Sequence, residues 1–214
     1  MKLFSITFLF TVLFVSGYSQ TKVPRVPLYE VFSSSTCPPC RPANEHLVPV
    51  FESREGKISV VKYQMSWPGT GDPYYTSEAN SRRNVYGVNS IPYFFRNAIS
   101  QDYSRFDSAS IDQDLLDSTG MSMGLRYMIN PDSQSISIRA RAEALEAFTV
   151  GAQRIYIAIV EKVTYQNKKS NGESEFHHVF KKMLPEGGGE LIAGNLEPGY
   201  VFEFDSTYVF QGSY

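Results

Sequence analysis

The residues best suited to chemistry are Cys37 and Cys40, the two cysteines of the chain, separated only by Pro38 and Pro39. A pair three residues apart has three uses. It can exchange electrons with other thiols and disulfides, it can supply half of a structural zinc site, or it can form an inert bridge. A disulfide stabilises by closing a loop in the unfolded chain, and the gain shrinks with loop length, so a bridge across two prolines is a poor staple. Zinc needs two further ligands. No second cysteine pair exists, so another chain would have to supply them. His177 and His178 are adjacent and on a strand would point to opposite faces, which with His46 as the remaining histidine makes a shared ion a poor fit. No cofactor and no metal are expected. Exchange chemistry is the leading reading, with Cys37 at the exposed head of a helix as nucleophile and Cys40, one turn deeper, as resolving thiol. Neither proline offers an N–H, which leaves the Cys40 amide as the nearest donor to a Cys37 thiolate and favours reductant or isomerase behaviour.

The elements that must position this pair follow from the apolar pattern. Residues 26–33 read as a buried strand, with Leu28, Tyr29, Val31 and Phe32 nearly continuous. After Cys40, Ala43, Leu47, Val50 and Phe51 recur at helical spacing, in a helix kinked at Pro49 and ended by Gly56. Residues 58–65 form the next strand, and Thr76 caps a helix that stops at Gly87. Pro92 then opens a strand, a placement that a cis peptide would accommodate. Residues 106–119 read as a last helix, with Ile111, Leu115 and Leu116 on its stripe. Beyond Gly120 the pattern changes to repeated strands at 121–129, 134–142, 155–163, 176–183 and 200–211, with a short piece at 191–193. Five strands and a fragment fall short of the usual seven of a sandwich, and the chain stops just after an apolar strand, so the C-terminus is expected to be incomplete.

The order strand, CxxC, kinked helix, strand, helix, apolar-Pro, strand resembles the thioredoxin superfamily. More narrowly, residues 29–32, 86–92 and 177–184 are similar to the secreted proteins grouped as the twenty-eight-kilodalton outer-membrane-protein family. The resemblance implies a cis Pro92 facing the dithiol and shaping a substrate groove. It also implies an α/β thioredoxin-like domain over residues 20–119 followed by an all-β, immunoglobulin-like sandwich domain over 120–214. Two positions depart from the thioredoxin pattern. Thr36 stands where Trp is common, and no Asp occupies the buried strand position beneath the resolving cysteine. Glu30 is the nearest carboxylate, one residue out of register, and reads as an ordinary strand or edge carboxylate. Arg41 either supports a thiolate or is solvated.

Residues 1–19 carry Lys2, an apolar stretch over 3–15 and small residues before Gln20, the pattern of a cleaved signal peptide. Export to the periplasm, outer membrane or extracellular space is therefore expected. The remaining chain holds 19 basic and 22 acidic residues, a net charge of −3, which gives no footing for nucleic acid. It also lacks an apolar run long enough for a transmembrane helix. The expected partners are protein thiols or disulfides. The alternative is an outer-membrane-associated or cell-surface binding module with no turnover.

Overall fold

The computed structural model describes residues 21–149, 153–192 and 194–210. The signal peptide read over 1–19, the end of the fragment at 193 and the final residues 211–214 lie outside the described residues.

The chain begins with β1 (Val23–Pro24), β2 (Leu28–Ser33), α1 (Cys40–Glu52), β3 (Ser59–Gln64) and α2 (Ser77–Tyr86). Next come β4 (Tyr93–Arg96), β5 (Ile99–Ser100), a 3-10 turn (Tyr103–Arg105), α3 (Ser108–Asp114) and β6 (Ser118–Thr119). The remainder is strand: β7 (Met121–Asn130), β8 (Ser135–Ala144), β9 (Gln153–Ile155), β10 (Ile157–Thr164), β11 (Phe176–Leu184), β12 (Glu190–Ile192) and β13 (Val201–Val209).

The main sheet has six strands in the order β10-β11-β3-β2-β4-β5. In it β3 runs parallel to both β2 and β11, and the other pairs are antiparallel. Alternation along β2 explains its two faces. Tyr29 and Val31 meet Ala43, Leu47 and Phe51 of α1 and Ile111 of α3, whereas Phe32 meets Ala79 of α2 and Phe180 and Met183 of β11. A second sheet, β13-β8-β7, carries Ile136 and Ile138 against Ile157 and Leu184, and two short pairs, β1-β6 and β12-β9, complete the described residues.

This corrects the expected architecture. The protein is mostly β, with thirteen strands against three α-helices among the described residues, and it is not an α/β thioredoxin-like domain followed by an immunoglobulin-like sandwich. The sheets of the second half stack sandwich-like, β13-β8-β7 against β10 and β11, but they do not form a separate domain. β11 is buried on both faces, through Phe176, Val179, Phe180, Met183 and Leu184, and satisfies that demand by entering the main sheet beside β3.

Two smaller expectations also change. The helix read over 106–119 is only α3, begun by a reciprocal cap between Asp107 and Ser110, and Leu116 from its supposed stripe is 75 % exposed. The helix after Cys40 ends at Glu52, before Gly56. By contrast α2 starts and stops where its sequence signals: the Thr76 hydroxyl accepts from the Ala79 amide, and Gly87 takes the left-handed conformation. Thr76→Ala is expected to cost about 1 kcal/mol of stability, measurable by urea unfolding.

Candidate functional site: the Cys37–Cys40 bridge and the buried polar cluster behind it

β2 runs out at Ser33 into a buried polar loop, Ser34, Ser35 and Thr36, that delivers Cys37. The Cys37 amide donates to the Ser34 carbonyl at 3.0 Å, and the Cys40 amide to the Cys37 carbonyl at 3.1 Å. The turn is thereby closed and α1 starts at Cys40 itself. Cys37 and Cys40 are joined as a disulfide. Pro38 and Pro39 between them are exposed.

Three expectations about this pair need correction. Cys37 precedes the helix instead of heading it. It is 1 % exposed, not an open nucleophile, because the loop before it packs inward: the Thr36 hydroxyl donates to the Pro68 carbonyl at 2.7 Å and the Ser35 amide to Asp72 at 2.8 Å. Finally, the Cys40 amide is engaged by the Cys37 carbonyl rather than left for the sulfur.

The Ile91–Pro92 bond is cis. β4 begins at Tyr93, opposite Phe32 of β2, so Pro92 lies at the end of β2 from which the loop to Cys37 departs.

Glu30 is not an edge carboxylate. It is 1 % exposed, faces α2, and takes hydrogen bonds from Arg82, Tyr63 and Tyr86. Arg41 is paired with Glu45 at 2.7 Å on the surface of α1. Its guanidinium also lies where a side chain at Gly172, which has φ +85°, would have to go.

The residues that sequence reasoning missed lie behind the bridge. Asn44, one helical turn after Cys40, donates to Glu173 at 2.8 Å and to the Ser33 hydroxyl at 3.2 Å. Asn171 donates to the other Glu173 oxygen at 2.5 Å and to the Ser34 carbonyl at 3.2 Å, the same carbonyl that holds the Cys37 amide. A hydrogen-bonded chain therefore runs from the bridge to a carboxyl 9 % exposed. Burial raises the Glu173 carboxyl above its usual range, against the pull of Lys62, and burial lowers Lys62 to about 8, against the pull of Glu173 and Asp72. The signal for this cluster was Lys62 inside the apolar strand 58–65. A buried lysine needs a nearby anion, but nothing local said that Glu173 would be one.

Two of the three histidines are engaged elsewhere. His177 sits between Glu52 at 3.0 Å and Glu175 at 2.9 Å, tying α1 to β11, and the His46 ring meets the Phe106 carbonyl at 3.1 Å. Burial lowers His178 to about 4. Among the described residues no group of three or more His, Cys, Asp or Glu side chains could hold a metal, and no helix is long and apolar enough to cross a membrane.

The arrangement is thus a mostly β protein with a dithiol bridge at one end of a mixed sheet, backed by a buried acid and base. No family model and no curated protein matches the chain. Two solved structures share its fold. One, HBP35 of Porphyromonas gingivalis, has a TM-score of 0.60 at 11 % identity over 86 % of this chain and 64 % of its own. The chain therefore spans less than two thirds of that protein. The other, an Agrobacterium tumefaciens protein solved by a structural genomics consortium, has a TM-score of 0.51 at 15 % identity over 84 % of this chain and 77 % of its own.

Proposed function

We propose that this chain is an exported thiol–disulfide exchange protein that uses Cys37 and Cys40 on protein thiols and disulfides. The observation that supports this most is the buried Glu173, hydrogen-bonded to Asn44 on the face of α1 that follows from Cys40. In the reduced protein the Cys37 thiolate attacks a partner disulfide and releases one partner thiol. Cys40 then loses its proton, displaces the second partner sulfur and closes the bridge. The partner gains two electrons and the pair loses two. A buried thiol must give its proton to something, and a carboxyl held above its usual range by burial is suited to take it. Pro92, at the same sheet end, borders the path of the partner.

The burial of Cys37 favours a second reading, in which the bridge is inert and the protein is a binding module. The two separate in glutathione buffers. Exchange function requires the native bridge to equilibrate with the buffer, and a bridge that opens only in denaturant overturns it. Within the exchange reading, Glu173→Gln is expected to slow the resolving step at neutral pH about tenfold or more while leaving Cys37 attack unchanged. The glutathione adduct should accumulate transiently by mass spectrometry, and the pH dependence of its decay should shift. Equal decay in both proteins would remove Glu173 from the reaction.

A further inference from the structure

Resting on the exchange reading above, we propose that Asn171 is a positioning residue for the reaction: it holds the loop between β10 and β11 as a latch on the segment that buries Cys37, and its release admits the partner. The loop covers residues 165–175, between the paired Thr164 and Phe176, far more chain than a hairpin turn needs. From Gln166 to Ser174 it reads Gln-Asn-Lys-Lys-Ser-Asn-Gly-Glu-Ser, without one apolar side chain. Only polar groups therefore hold it down, and they do so on both sides of the bridge. Ahead of Cys37, the Asn171 backbone amide donates to the Ser35 carbonyl at 2.9 Å and its side-chain amide to the Ser34 carbonyl at 3.2 Å. Behind Cys40, Asn44 donates to Glu173 at 2.8 Å and Gly172 lies against the Arg41 guanidinium. Asn171 joins the two sides. Its Oδ1 accepts from the Glu173 amide at 2.9 Å, and its Nδ2 donates to the Glu173 carboxyl at 2.5 Å as well as to Ser34, which spends both of its side-chain N–H groups.

The closed latch is incompletely bonded. Asn167 donates to Asp72 only at 3.4 Å, near the limit of a hydrogen bond. Its Oδ1 and the Ser35 Oγ are buried, and among the described residues neither has a partner within hydrogen-bond distance. Such groups gain partners when water enters, which lowers the cost of opening. A polar tip on a base fixed by the buried Phe176 belongs to the segments that open locally while the core stays folded. The consequence falls on Cys37. The Ser34 carbonyl takes both the Asn171 side chain and the Cys37 amide, so the turn that keeps this residue 1 % exposed is fixed from the loop. When Asn171 lets go, residues 33–37 lose that support and a partner reaches the bridge.

The test compares the unaltered chain with Asn171→Ala, which keeps the backbone bond to Ser35 and loses the side-chain bonds. Two rates are measured without denaturant: reduction of the bridge by dithiothreitol, and hydrogen exchange of the amide at position 171. Both should rise about tenfold and by the same factor, because each follows the population of the open loop. Gly172→Ala, whose added methyl at φ +85° meets the Arg41 guanidinium, should accelerate reduction in the same way and serves as a second lesion of the latch. Asp107→Ala removes the cap of α3 and lowers global stability, yet should leave the reduction rate within about twofold of the unaltered protein. Unchanged reduction in both latch variants overturns the latch and leaves the exchange reading standing. So does equal acceleration by Asp107→Ala, which would mean that global unfolding, not the loop, exposes the bridge. A bridge that resists dithiothreitol in every variant until denaturant is added overturns the exchange reading and the latch with it.

Discussion

Replacing Arg82 with Ala is expected to destabilise the protein by about 3–5 kcal/mol, because it strands a buried carboxylate. Glu30 is 1 % exposed and receives the Arg82 fork at 2.8 and 3.1 Å. The Tyr63 hydroxyl donates to it at 2.9 Å, and Tyr86 donates to its other oxygen. Two phenols supply hydrogen bonds and no positive charge, so they do not replace the guanidinium. Arg82 is held in turn between the rings of Tyr86 and Tyr156, 4.6 and 4.7 Å from their centroids, which adds packing that alanine also loses. Arg82→Lys keeps the charge, gives up the two-pronged geometry and should cost less. The double replacement Glu30→Gln with Arg82→Met removes both charges and should recover much of the loss. Urea unfolding of the four proteins measures this. A loss below about 1 kcal/mol for Arg82→Ala would mean that water reaches Glu30 and that the pair is only a surface contact.

That pair shows where sequence reasoning stops. Local signals were legible. Thr76 and Gly87 bounded α2, the break between the strands read over 121–129 and 134–142 is the turn that joins β7 to β8, and the strand read over 26–33 is β2. What could not be read were contacts between distant residues. Glu30 looked like an edge carboxylate because its partner stands 52 residues away, and Glu173, in the loop before β11, gave no sign of its role because Asn44 is 129 residues from it. The same limit hid the sheet. β11 reads as an apolar strand in any all-β arrangement, and only the unfilled flank of β3 assigns it a place. The site was therefore half visible, its sulfurs from spacing and its acid and base only after the second half of the chain had folded against the first.

Replacing Cys40 with Ser is expected to convert the protein into a covalent trap. Cys40 occupies the first position of α1, is fully buried, and lies one turn above Asn44, on the side that reaches Ser33 and Glu173. Cys37 is also buried but lies outside the helix and is followed by the exposed Pro38 and Pro39, so a small opening of that turn bares its sulfur first. Attack through Cys40 would instead require the first turn of α1 to come apart, with its hydrogen bonds behind it. In Cys40→Ser a disulfide formed at Cys37 has no internal thiol to displace it. With oxidised glutathione the adduct should approach one per chain and vanish on adding reductant. Cys37→Ser should carry less than about a tenth as much at the same time, because its remaining thiol is the shielded one. Equal labelling of the two variants would reverse or erase the assigned roles, and labelling of neither without denaturant would leave the bridge as an inert closure and the binding-module reading in possession of the site.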